Sequence, residues 1–312
     1  MIIREPKTED IEAIIELLQL SLGESKLKKS QEIWDFKHQK NPFGKSPVFL
    51  AEENETVIGV RAFMQWRWQL EDKLWTSYRA VDTATHPNHQ GRGIFKTLTL
   101  KALDYVQNLG DCFVFNTPND QSRPGYLKMG WKEVGKIKVN LSCTFFYLHK
   151  LFSRNTNNQN LATDSQLNVL CDSHNADLKS QKVIFTPKSA KYLKWRYEEN
   201  LLQDYKVIST PDFYIAMYTK KHRFYKELRV VEIIGSLNKE NKSRIQASIV
   251  SFAFKNSCWL ITFSDKNLFK FTLSGAFGPI LTFKELTANN DFIRKALNIN
   301  NWKYTIGDLE LF

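Results

Sequence analysis

Residues His86 to Leu98 read HPNHQGRGIFKTL, which sets Gly91 and Gly93 one residue apart, beside Gln90 and Arg92, at the head of an apolar helical pattern. A helix N-terminus presents unpaired backbone N–H groups and the positive end of the helix dipole, so glycines there let an anion approach closely. Two readings fit this spacing: a phosphate cradle built from the backbone of Gly91 to Phe95, or a plain turn between a strand and a helix. A Walker loop is excluded because no G-K-[ST] follows, and a dinucleotide fingerprint because the third glycine is missing. Upstream, Asp82 interrupts the strand-like TSYRAVDTAT, where a carboxylate is unusual unless it is paired or used. Downstream, FNTPNDQSRPGY places Asn116, Asn119, Asp120 and Arg123 after a strand, where they line a polar pocket or form an ordinary turn.

Those residues need a scaffold. DIEAIIELLQLSL puts Ile11, Ile14, Ile15, Leu18 and Leu22 on one helical face after Thr8 as a cap. PVFLAEENETVIGVRAFMQWRWQLEDKLWTSYRAVDTAT reads as three strands with turns at Glu53 to Glu55 and Glu71 to Lys73, and Met64, Trp66, Trp68 and Leu70 alternate with Gln65, Arg67 and Gln69. The quoted loop then opens a helix with apolar Leu98, Leu100, Leu103 and Val106. CFVFNTP follows as a strand, QSRPGYLKMG as a short helix, and WKEVGKIKVNLSCTFFYL as the closing strand region.

The Asn- and Ser-rich stretch 151–180 reads as a linker or long surface loop, which divides the chain into residues 1–150 and 181–312. In the second part KSAKYLKWRYEEN and SRIQASIVSFAFKN read as helices, YKVIST, FYIAMYTK, LRVVEII and CWLITFS as strands, NLFKFTLSGAFG as a helix, and ILTFKEL with WKYTIG as closing strands. The order of elements repeats that of the first part. Phe36 to Asn41 (FKHQKN) also aligns with Trp195 to Asn200 (WRYEEN) as ring, cation, ring, two polar residues, Asn, which points to an internal tandem repeat.

A chain of 312 residues with 42% hydrophobic and 13% aromatic content can build large cores, so extensive disorder is not expected. The start of the chain lacks the pattern of a signal peptide and no apolar run approaches a bilayer span, so a cytoplasmic location and no membrane partner are expected. Cys112, Cys143, Cys171 and Cys258 form no C-x-x-C pair, which gives a metal site or disulfide framework no support. The net charge of +11 is uneven: residues 1–150 hold 21 Lys and Arg against 18 Asp and Glu, and the remainder 23 against 15. That balance suits anionic small molecules, but no dense basic stripe marks a DNA-binding face.

The stretch Thr85-His86-Pro87-Asn88-His89-Gln90-Gly91-Arg92-Gly93-Ile94-Phe95 resembles motif A of the GNAT acyltransferase superfamily, [RQ]-x-x-G-x-[GA] after a strand and a proline. Tyr126-Leu127-Lys128-Met129-Gly130-Trp131 resembles the Y-x-x-x-G-F that ends the acyl-CoA site, and both motifs flank the strand CFVFNTP in the family's order. The resemblance covers residues 1 to 148, and the second half only through its element order. Phe95 departs from it, standing where the pattern has Gly or Ala, which puts the shape of the pocket in question.

The resemblance implies an α/β (α+β) fold with a mixed, mostly antiparallel sheet flanked by helices, in two tandem GNAT-like domains. It implies acetyl-CoA, or another acyl-CoA, as co-substrate and no metal. Thr83, Ala84 and Thr85 would bind pantetheine through their backbone, with an N–H near Thr83 polarising the thioester carbonyl. Gln90, Gly91, Arg92, Gly93, Ile94 and Phe95 would hold the pyrophosphate, with Asn119 nearby, and His86 and His89 would face solvent beside the phosphates. Tyr126 would protonate the leaving thiolate, and Asp82 would take a proton from the acceptor or bind it. His38, Asn116 and Arg123 would line the acceptor side, and the C-terminal carboxylate of Phe312 is a further candidate base. The second half has no glycine pair and is expected to be a copy without CoA. The expected reaction is acyl transfer, within a ternary complex, to the amine of a small or sugar-linked acceptor such as a nucleotide-sugar. The alternatives are a Fem-like aminoacyl-tRNA-dependent ligase and a CoA-binding regulator without turnover.

Overall fold

The computed structural model describes residues 1–22, 30–152 and 161–309. In chain order the strands and helices are β1 (Ile2–Arg4), α1 (Ile11–Leu22), α2 (Gln31–His38), β2 (Val48–Glu53), β3 (Thr56–Leu70), β4 (Lys73–Thr85), α3 (Ile94–Gln107), β5 (Cys112–Asn116), α4 (Arg123–Lys128), β6 (Lys132–Lys136) and β7 (Val139–Cys143). They continue as α5 (Asp164–Ser180), α6 (Ala190–Leu193), β8 (Lys206–Ser209), β9 (Tyr214–Lys221), β10 (Lys226–Ile234), α7 (Lys239–Lys255), β11 (Leu260–Phe263), β12 (Leu273–Gly275), β13 (Ile280–Glu285), α8 (Asn290–Ala296) and α9 (Ile306–Leu309). The Phe312 carboxylate and residues 153–160 of the expected linker lie outside the described residues.

Two compact units result. The first comprises Met1–Trp68, Lys73–Gly135 and Pro279–Ile299; the second comprises Gln69–Asp72, Lys136–Gly278 and residues 300–309. The first holds a seven-stranded sheet in the order β1-β2-β3-β4-β5-β13-β6 and the second a six-stranded sheet in the order β12-β7-β11-β10-β9-β8. Each is mostly antiparallel and flanked by helices, and each contains a parallel pair: β4 with β5 in the first, and β10 with β11 in the second. These are the expected sheets, but the boundary at residue 150 is corrected. β13 lies between β5 and β6 in the first sheet, pairing Thr282↔Asn116 to Glu285↔Phe113, while β7 lies between β12 and β11 in the second. The chain thus exchanges one strand between the two units.

Local physics explains the other differences. α5 replaces most of the expected linker: Thr163 and Gln166 cap each other's backbone at its start, and only Leu167, Cys171 and Leu178 are buried, so its polar majority hid the helix. NLFKFTLSGAFG is not helical, because Leu273–Gly275 forms β12 against β7, and WKYTIG is no strand, since the chain closes there with α9. In α3, Leu98, Ala102, Leu103 and Val106 face the first core, while Leu100 points outward at 44% exposure, as helical spacing dictates. That core also takes in Phe49, Ile58, Val114, Tyr126 and Trp131. At the other end of the sheet, the Asp10 carboxylate accepts from the backbone N–H of Lys7 and from Arg4, which stands in for the cap expected of Thr8.

A fragment of residues 1–150 lacks β13, so β5 loses one of its two ladder partners, and Phe113 loses Phe283 and Phe292, whose ring centroids lie 5.1 and 5.2 Å away. Such a fragment is expected to show no cooperative thermal transition by circular dichroism, under conditions where the full chain shows one.

Candidate active site

The loop entering α3 bends at two glycines in the left-handed region, Gly91 at φ 76° and Gly93 at φ 75°. Gly93 is the N-cap of α3 and supplies no side-chain hydrogen bond, so the N–H groups of the first turn point out of a turn that has no side chain of its own over it. A Cβ at either glycine would meet nothing within 4 Å, so the backbone conformation, and not crowding, requires them. Arg92 was expected to add charge to this cradle. Its guanidinium instead forks onto Glu53, with Nη1 2.8 Å from Oε2 and Nη2 2.7 Å from Oε1, and His89 Nδ1 lies 2.7 Å from the same Nη1. The hydrogen bonds from Arg92 hold the Glu53 carboxyl at about 2, well below the usual carboxylate range.

Phe95 does not point outward from the loop. It packs on the first core, with its ring edge-on to Tyr126 at 5.5 Å, where the family pattern would have left space. Ile94 is buried and Gln90 exposed. Thr85 accepts from Ser21 Oγ at 3.1 Å through its carbonyl, and Ala84 is buried.

β4 and β5 pair in parallel from Thr76↔Cys112 to Arg79↔Phe115, after which β4 runs on to Thr85. Three residues past that last pair, Asp82 adopts φ 40°, a conformation that L-residues with a side chain rarely take. Its carboxylate is held from α2: Lys37 Nζ forms an ion pair with Oδ2, and His38 Nε2 lies 3.0 Å from the same oxygen. His38 Nδ1 in turn lies 2.9 Å from Ser46 Oγ. His38, expected on the acceptor side, is fully buried, and both ring nitrogens take part in the Asp82–His38–Ser46 chain. Ser46 is partly exposed.

Tyr126, on α4, is 5% exposed and packs between Phe95 and Trp131, whose centroid is 5.1 Å away. Its hydroxyl accepts from Arg61 Nη2 at 2.8 Å, and Arg61 Nη1 donates to Thr83 Oγ1. One guanidinium on β3 thereby joins Tyr126 to the strand that carries Asp82. Neither Arg61 nor Lys37 was singled out in the sequence as a site residue. The signal that flagged Asp82, a charge inside an apolar strand, applies equally to Arg61 in VIGVRAFM.

The remaining candidates have other duties. Asn116 is buried, and its Oδ1 accepts from Thr282 Oγ1 of β13. Asn119 Oδ1 accepts from the backbone N–H and hydroxyl of Ser122, which shapes the entry to α4. Arg123 lies 3.5 Å from Asp120 and 3.7 Å from Glu133. Among the described residues no group of His, Cys, Asp and Glu could hold a metal ion, and no helix is long and apolar enough to cross a membrane.

The second unit repeats the motif with different chemistry. The parallel pairing of β10 with β11 ends at Arg229↔Thr262, and Glu232 follows three residues later beside a register shift, as Asp82 follows Arg79. Arg79-Ala80-Val81-Asp82 is thus matched by Arg229-Val230-Val231-Glu232. Tyr197, which aligns with His38, donates to Glu232 Oε2 at 3.0 Å. Lys188, wholly buried, donates to Glu232 and Asp308 at 2.7 Å each. Burial works against the Lys188 charge, but Asp308 and Glu232 outweigh it and raise the ammonium above its ordinary value; burial raises Glu232 despite Lys188. α7 begins at Asn238, whose side chain accepts from Asn241 N–H, so this N-terminus is closed by its own cap.

Residues 2–134 match the family model described as an acetyltransferase (GNAT) domain. No curated protein matches the sequence. Among solved structures, the chain is similar to a conserved Enterococcus faecalis protein of unknown function, a probable N-acyltransferase, at a TM-score of 0.67 and 10% identity, over 92% of this chain and 73% of that one. GCN5-related N-acetyltransferases from Kribbella flavida (TM-score 0.65, 12% identity, 92% of this chain and 71% of that one) and Anabaena variabilis (0.63, 13%, 91% and 72%) share the fold.

Replacing Lys188 by Met leaves two buried carboxylates facing each other without a cation, which should cost about 3–5 kcal/mol of stability in urea denaturation at neutral pH. Burial already raises the Glu232 carboxyl, and without the cation its folded-state pKa stays above its unfolded one, so the stability tied to it is retained at low pH and lost as pH rises. The deficit should therefore shrink as pH falls toward about 4.

Proposed function

We propose, from the match of residues 2–134 to the acetyltransferase (GNAT) domain, that the first unit transfers an acyl group from CoA to the amine of a small or sugar-linked acceptor within a ternary complex. The observation that carries this reading is the turn at Gly91 and Gly93, which opens α3 without a side-chain cap, on the chain that leads directly from the free end of β4. Such a turn suits a pyrophosphate, and the backbone of Thr83 to Thr85, released from β5, suits an extended pantetheine arm. Acyl-CoA supplies an activated thioester carbonyl.

The protein's own residues have the remaining work. A backbone N–H near Thr83 would polarise the thioester carbonyl, and Tyr126 would deliver its phenolic proton to the departing sulfur. Asp82 would draw the acceptor's ammonium toward the reacting carbon. With Lys37 on the same carboxylate, Asp82 alone makes a weak base, so the acceptor's proton is better passed on through His38 to Ser46, which reaches solvent. The Lys37 pair is also the observation that favours a second reading, a CoA-binding regulator without turnover.

Thiol release from acetyl-CoA across a panel of small and sugar-linked amines tests the proposal. Amine-dependent release is expected; tight CoA binding with no release on any acceptor selects the regulator. Gly93→Asp should abolish CoA binding in calorimetry, because it adds a negative charge and a Cβ at φ 75°. Tyr126→Phe should lower kcat by about 10²-fold with CoA affinity kept within about threefold. Unchanged kcat would remove Tyr126 from the reaction.

A further inference from the structure

Arg61 is fully buried at the middle of β3, and among the described residues no carboxylate lies within ion-pair distance of it. Its Nε is buried without a hydrogen-bond partner. Its guanidinium carbon lies 5.2, 5.3 and 5.2 Å from the ring centroids of Phe63, Phe95 and Tyr126. Ring faces attract a cation only weakly compared with a carboxylate, and burying a charge without a counter-ion is expensive. Such a group is worth keeping where negative charge develops beside it. Among the described residues, the polar partners of its two terminal nitrogens are Thr83 and Tyr126, the residues on either side of the proposed reacting centre.

We propose that Arg61 is the positioning residue for Tyr126, an inference that rests on the reading of Tyr126 as the acid. Because the phenol oxygen accepts from Nη2, its own hydrogen points away from the guanidinium and stays available for donation to another group. During transfer the amine nitrogen bonds to the thioester carbon, the C–S bond breaks, and its electron pair goes to sulfur. The Tyr126 proton passes to that sulfur to give the CoA thiol. The phenolate left behind is held by Arg61 until it regains a proton from solvent, which balances the proton lost by the amine. Phe95 has a part here: by covering the guanidinium it keeps water from competing for the charge, which gives the departure from the family pattern a purpose.

A double-mutant cycle tests this, with kcat for thiol release and CoA affinity measured on Arg61→Met, Tyr126→Phe and the pair. Arg61→Met should lower kcat by about 10²-fold with CoA affinity within about threefold of the parent. On the Tyr126→Phe background the same change should cost less than about threefold, because the phenolate it serves no longer forms. Losses that multiply in full would overturn the proposal, since a merely structural role is indifferent to the phenol. If Arg61→Met does not fold, the cycle is run with Arg61→Lys, which keeps the charge but cannot span Thr83 and Tyr126 together; a smaller loss that also vanishes on Tyr126→Phe is expected. If Tyr126→Phe alone leaves kcat unchanged, the reading of Tyr126 as acid fails and the Arg61 proposal falls with it, whereas a large Tyr126→Phe loss with full multiplicativity removes Arg61 only.

Discussion

At Asp82 the backbone of β4 sits in a region that costs a residue with a side chain of order 1–3 kcal/mol. The ion pair with Lys37 and the hydrogen bond to His38 bind its side chain to α2, and these contacts offset that strain. The parallel ladder with β5 ends three residues earlier, one residue before β5 itself stops at Asn116. The end of β4 then feeds the glycine turn and α3, so the bent residue lies between the end of the ladder and the start of the helix. Arg61 braces the opening from β3, reaching Thr83 on one side and Tyr126 on the other.

The second unit holds a comparable arrangement with different side chains around it. A carboxylate again follows the last parallel pair by three residues, and an aromatic residue of the aligned segment again bonds to it. A lysine and a second carboxylate from within the unit now enclose it, and the following helix carries its own asparagine cap. The carboxylate keeps its place after the parallel ladder, but Glu232 sits beside a register shift with β9 where Asp82 has a positive φ, and a side-chain cap stands where the first unit has a glycine turn. That contrast is the physical content of the repeat first visible in FKHQKN and WRYEEN.

The parts of the site readable in the sequence were those with local signatures. The glycine pair, the tyrosine ahead of Met129-Gly130-Trp131 and the acidic residue in an apolar strand each carry their meaning within a few positions. Arg61 and Lys37 were missed because a single cation in a strand or on a helix usually faces water, and only the fold shows that both are enclosed. Likewise Asn116 and Asn119 looked like pocket residues, but polar side chains after a strand are as often consumed by their own turn or by a neighbouring strand. The strand exchange had no local mark: VNLSC and ILTFKE suit either sheet equally, and their partners are set by contacts more than a hundred residues apart.

The exchanged strand also bears on how the molecule comes into being. During synthesis the first sheet is complete only when Ile280–Glu285 has left the ribosome, long after every residue proposed for chemistry has been made. Until then β5 exposes an unpaired apolar edge of Cys112–Asn116, the kind of surface on which nascent chains stick to one another. The first unit therefore cannot mature ahead of the rest of the chain, because the strand that closes its sheet is made after nearly all of the second unit.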